Sequence, residues 1–102
     1  MWGWEHWFDL EWSTDRGPGG DTRIRGYITN RYGEVGEPLR LLGQALDASG
    51  AVVGQQIVWV PGGVGGYQRA YFEIWRLPVA DHYRVSVWDY SRPQAARLIQ
   101  SP

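Results

Sequence analysis

Residues 77–90 restrict the fold of this chain more than any other stretch. They read Leu-Pro-Val-Ala-Asp-His-Tyr-Arg-Val-Ser-Val-Trp-Asp-Tyr. A proline turn leads into strict alternation. Tyr83, Val85 and Val87 share one face, while His82, Arg84, Ser86, Trp88 and Tyr90 share the other. A period of two is that of a half-buried β-strand and not of a helix. A tyrosine just after a corner and two residues before a core position has the sequence form of a tyrosine corner. In that motif the ring packs inward and the hydroxyl bonds to backbone a few residues upstream, tying one sheet of a sandwich to the other. Tyr83 is the structural corner candidate.

The rest of the chain supplies partners for such a strand. After an unpatterned aromatic opening, strand A runs from about Trp7 to Thr14, with Phe8, Leu10 and Trp12 on one face. Residues 15–20, Asp-Arg-Gly-Pro-Gly-Gly, form a turn cluster. Strand B covers roughly Thr22–Asn30, with Ile24 and Ile28 inward and Arg23, Arg25, Tyr27 and Thr29 outward. If A and B are antiparallel neighbours, Asp9 and Glu11 lie near Arg23 and Arg25. Strand C spans Leu39–Asp47, and Gly50 suits the positive φ of the following hairpin. Strand C′, Val52–Val60, is apolar on both faces, so it is either covered on both sides or an edge with one face awaiting a partner. Strand E runs from Tyr67 to Ile74, residues 75–78 turn into strand F, and strand G occupies about 95–100. Seven short strands with turn signals every 8–12 residues and no helical periodicity predict an all-β, immunoglobulin-like antiparallel β-sandwich.

At 102 residues the chain has the length of one domain. Residues 1–15 form the aromatic N-terminal segment with strand A, and 16–102 the remainder of the sandwich. A net charge of −1 provides no basic field to attract nucleic acid. All ten basic residues are arginine. Without cysteine there is no disulfide, thiolate catalysis or cysteine-ligated zinc. The opening Met-Trp-Gly-Trp-Glu-His-Trp lacks the basic and apolar regions of a signal peptide. No apolar run has membrane-spanning length, so no membrane insertion is expected.

Residues from about Arg23 to Tyr90 resemble the FxLYD-type immunoglobulin-like domains of bacterial proteins. The resemblance is carried by Ile24-Arg-Gly-Tyr-Ile-Thr-Asn, Pro38-Leu-Arg-Leu, the hairpin Ala45-Leu-Asp-Ala-Ser-Gly-Ala-Val-Val-Gly, Pro61-Gly with Ala70-Tyr-Phe-Glu-Ile, and Ala80-Asp-His-Tyr-Arg-Val. The Leu-Tyr-Asp position reads Ala-Leu-Asp here. The resemblance implies a small extracytoplasmic or cell-surface module, and it transfers no active site.

Chemistry finds little purchase in this sequence. The glycines from Gly62 to Gly66 lack the lysine and following helix of a phosphate-binding loop. His82 and Ser86 stand four residues apart on a strand, roughly 13 Å, too far to share a proton. Asp9 and Glu11 have a spacing some glycosidases use, but adjacent arginines favour the ionised carboxylates, the opposite of what acid catalysis needs. His6 and His82 do not make a metal-ligand set. No catalytic residue, cofactor or metal is expected.

Aromatic residues remain. The outer face of the C–F–G sheet should carry Leu42, Leu46, Trp88, Tyr90 and Ile99, with Arg40, Arg84 and Arg97 among them. A contiguous apolar face marks an interface or is covered by the chain itself. Three readings follow: Trp2, Trp4 and Trp7 fold over the face; it binds a protein partner or a second copy; or its rings stack sugars. The sequence favours a non-enzymatic protein-interaction or structural module, with a carbohydrate-binding module as the alternative and a small hydrolase as a third possibility.

Overall fold

The computed structural model describes residues 3–33, 39–61 and 63–90. Six strands form: β1 (Phe8–Arg16), β2 (Thr22–Asn30), β3 (Leu39–Leu46), β4 (Val52–Val60), β5 (Arg69–Leu77) and β6 (His82–Tyr90). They make two antiparallel three-stranded sheets, ordered β1-β2-β5 and β4-β3-β6. The protein is an all-β sandwich. Strand G, placed at 95–100 from the sequence, lies outside the described residues.

Alternation builds the core from both sheets. Ile24, Ile28, Phe72, Ile74 and Leu77 of the first sheet meet Leu39, Leu41, Val60, Val85 and Val87 of the second, with Phe8 and Val64 closing one cluster. Fully burying a side chain of this kind contributes about 1.5–3 kcal/mol. The hairpin between β3 and β4 turns at Gly50, whose φ of 89° is costly for other residues. Asp47 holds that turn by accepting from the Ser49 hydroxyl at 2.6 Å and from the Ala51 N–H at 3.0 Å. These bonds, the Ser49 one foremost, lower its pKa from the usual aspartate value.

The first strand differs from its sequence pattern. It extends to Arg16, because Asp15 and Arg16 still pair with Arg23 and Thr22. Asp15 accepts both arms of the Arg23 guanidinium, at 2.8 and 2.7 Å, and lies 3.2 Å from Arg25 Nε. The ion pair foreseen for Asp9 and Glu11 therefore belongs to Asp15. Asp9 instead lies 3.5 Å from Arg31 Nε, and Glu11 stands opposite Tyr27. Of the residues that share the Phe8 face in the sequence pattern, Trp12 is 37% exposed. Its backbone passes so close to Gly26 that a Cβ there would fall 1.9 Å from the Glu11 carbonyl oxygen and 2.7 Å from Trp12 Cα.

The fifth strand is also longer at its end. Residues 75–77, read as a turn, continue the ladder to Leu77, which pairs with Thr22 across a register shift. Arg76 absorbs the shift with a φ of 64°. Of the two readings open for Val52–Val60, the edge applies. The strand pairs with β3 alone, and Val52, Val53, Ile57 and Trp59 are exposed.

Candidate functional site: the outer face of the second sheet

Register places the outer face of the β4–β3–β6 sheet in four cross-strand rows. Trp59, Arg40 and Asp89 form the first; Ile57, Leu42 and Ser86 the second; Gln55, Gln44 and Arg84 the third; Val52, Leu46 and His82 the last. A bulge shapes the first row. Arg40 pairs with Asp89 and Leu41 with Val87, which leaves Trp88 as the additional residue on β6. Simple alternation would send Asp89 inward after Val85 and Val87. The bulge instead brings its carboxylate to Arg40.

Arg40 is the centre of that row. Its Nε–H donates to Asp89 Oδ1 at 2.8 Å and its Nη2 donates to Asp89 Oδ2. The same guanidinium lies over the Trp59 ring, 5.0 Å from its centroid. Such a stack is worth roughly 0.5–1 kcal/mol at an exposed site. The Arg40 hydrogen bond holds the Asp89 carboxyl below the usual aspartate range, against the opposing effect of partial burial. In the third row, Gln44 Oε1 accepts from Arg84 Nε and Nη2 at 3.0 and 2.7 Å, while Gln44 Nε2 donates to Gln55 at 3.1 Å. The polar groups of the face thus bond to one another and leave apolar surface between them.

That surface differs from the one read from sequence. Leu42 and Leu46 are 8% and 4% exposed, so they underlie the face instead of presenting it, and neither belongs to the inter-sheet cluster. A central strand has neighbours on both sides, which alternation alone does not reveal. Trp88 is 43% exposed, and Trp59 and Ile57, which the sequence did not single out, are 59% and 43% exposed. The apolar doublet Val58-Trp59 on an uncharged strand was the available signal. Arg84 lies on the face as expected. Arg97 and Ile99 fall outside the described residues, as does the side chain of Tyr90, whose backbone pairs with Leu39.

The N-terminal segment takes a different post. Trp4 and Trp7 pack against the inter-sheet core, and the Trp7 ring stands edge-on to Tyr32 with centroids 5.0 Å apart. The Arg31 N–H donates to the Trp7 carbonyl at 2.8 Å. Trp2 is outside the described residues.

On the opposite outer face the aromatic and charged groups are matched internally. Tyr27 and Tyr71 stack edge-on at 5.5 Å, Arg69 covers Tyr27 at 4.2 Å and Arg23 covers Trp75 at 4.9 Å. The Tyr71 hydroxyl donates to Glu73 at 2.8 Å, and that bond raises the phenol's pKa.

The fold does not bring His82 and Ser86 together. His82 Nδ1 lies 2.9 Å from Asp81, its sequence neighbour, whereas Ser86 is four pairs further along the ladder opposite Leu42. No group of three metal-ligating side chains occurs among the described residues. Among these residues no helix is long and apolar enough to cross a membrane. The chain matches no family model, no curated protein and no solved structure.

Proposed function

We propose that this protein is a non-catalytic, immunoglobulin-like module that binds a protein partner through the outer face of the β4–β3–β6 sheet. One observation carries the reading: Trp59 stands exposed against an arginine already fixed by Asp89, and exposed Trp88 directly precedes that aspartate on β6. Tryptophan and arginine are the residue types that dominate binding hot spots, and a guanidinium already held in place loses less freedom on docking. The strand order, with the third and sixth strands adjacent and the first, second and fifth together, suits an immunoglobulin-like connection. The FxLYD-type motifs favour the same fold and an extracytoplasmic setting.

Sugar stacking is less well supported. Arg40 occupies one side of the Trp59 ring at 5.0 Å, which removes one of the faces a pyranose would use. A hydrolase based on Asp9 and Glu11 has less support, since Asp9 lies 3.5 Å from Arg31 Nε in an exposed ion pair.

Photo-crosslinking tests the proposal. A benzophenone side chain is placed at Trp59, at Trp88 and, as a control, at exposed Tyr67 in the producing cell. One discrete protein adduct from the first two positions, absent from Tyr67 and lost with Arg40→Ala, is the expected result. Equal adducts from all three positions, or retention on a glycan array with none, would overturn it.

A further inference from the structure

β4 is unlike every other strand at a sheet margin. β1 carries Asp9, Glu11, Asp15 and Arg16, β5 carries Arg69, Glu73 and Arg76, and β6 carries Arg84 and Asp89. Charges on an edge strand, and bulges such as those at Arg76 and Trp88, are how sheets avoid pairing with another chain. The sequence of β4, Val-Val-Gly-Gln-Gln-Ile-Val-Trp-Val, contains no charge and no proline. Its ladder is with β3 alone, and among the described residues its other side makes no strand pairing. Its exposed side chains are Val52, Val53, Ile57 and Trp59 with the uncharged Gln55 and Gln56, and Ile57 and Trp59 both lie on the outer face.

The occupant that fits this edge is the same edge. In a two-fold pair each strand meets its own copy, so a strand that sets like charges opposite one another is repelled and an uncharged strand is not. β1 would set acid against acid. We infer that β4 pairs antiparallel with β4 of a second copy, joining two β4–β3–β6 sheets into one six-stranded sheet.

Geometry selects the register. Directly opposed residues in an antiparallel ladder share a face, so the two-fold axis passes through a residue and not between two. β4 is regular from Gly54 to Val60, because the ladder with β3 skips Val53 between Leu46–Val52 and Ala45–Gly54. Pairing the whole regular run with itself puts Ile57 on the axis. Trp59 then lies opposite Gln55 of the second copy, and Gly54 opposite Val60. Ile57 meets its own symmetry mate, and the outer face continues across the junction with Trp88 at both far margins.

The absence of cysteine makes the axis directly testable. The full chain is measured by sedimentation equilibrium from micromolar to near-millimolar concentration, with a mass of twice 11.6 kDa expected at the upper end. Ile57→Lys sets two ammonium groups face to face and should weaken the dimer at least about tenfold, whereas Trp88→Lys should leave it unchanged. Ile57→Cys should crosslink to itself under mild oxidation, since opposed Cβ atoms in a ladder fall within about 5.5 Å, while Tyr67→Cys should not. The crosslink needs no outside partner, so it can succeed where the binding-face proposal fails. A monomer across the whole range, loss of the dimer with Trp88→Lys but not Ile57→Lys, or equal crosslinking at both cysteine positions would overturn the inference.

Discussion

The Tyr83 hydroxyl donates to the carbonyl oxygen of Pro78, five residues upstream, at 2.8 Å. The Tyr83 hydroxyl oxygen itself accepts the Ala80 N–H at 3.0 Å and lies 2.8 Å from the hydroxyl of Thr22, on the other sheet. One donor and two acceptor positions are all that a phenol has, and all three are used. The corner closes the loop between β5 and β6 and fastens β6 to β2.

Tyr83→Phe keeps the ring and removes these bonds, stranding the buried Thr22 hydroxyl and the Ala80 N–H. A loss of about 1–2 kcal/mol in urea unfolding is expected, with an unchanged m-value. Thr22→Val in the Tyr83→Phe background should then cost little more, because its partner has already gone.

Gly26→Ala tests the close approach of the β1 backbone to its neighbour β2. The added methyl would meet backbone and not a movable side chain, so β1 must shift along its contact with β2. A destabilisation of about 3 kcal/mol is expected by denaturant titration, at the upper end for overpacking. A loss no larger than that of an exposed strand substitution would mean that the two backbones are further apart.

Acid should weaken the fold through its paired aspartates. The hydrogen bond from Arg23 lowers the pKa of Asp15, and that from Arg40 lowers the pKa of Asp89. A carboxylate held below its unfolded pKa contributes stability above that value, about 3.9, and loses it as pH falls through the folded one. The stability of the protein is expected to be flat in this respect at neutral pH and to decline below about pH 4. Asp89→Asn should give a shallower decline, measured by unfolding at a series of pH values.

Much of this architecture is legible in the residues, and the exceptions have specific causes. The bounds of β2 and β4 follow from Thr22–Asn30 and Val52–Val60 because turn residues flank uninterrupted strand-forming runs. The end of β1 is not legible because Asp15 opens the glycine-proline cluster in sequence, whereas pairing with Arg23 holds it in the sheet. Bulges were hidden, since each adds one residue to an alternation that counts by twos. That is why Asp89 was not placed beside Arg40. At the candidate face, Trp88 and Arg84 were legible from alternation, but Trp59 was not. Its prominence depends on β4 lying at the edge, a property of strand order that one strand's sequence does not contain. Leu42 and Leu46 occupy the predicted strand and face, and their burial comes from a central position with neighbours on both sides.

In the proposed binding mode the surface carrying Trp59, Arg40 and Trp88 stands open to partners. A soluble paramagnetic agent broadens the NMR signals of side chains that solvent reaches. With each indole assigned by single Trp→Phe substitutions, strong broadening is expected for Trp59 and Trp88, and weak broadening for the methyl groups of buried Leu42 on the same sheet. Protection of Trp88 comparable to that of Leu42 would contradict it, and would mean that the chain covers this face itself.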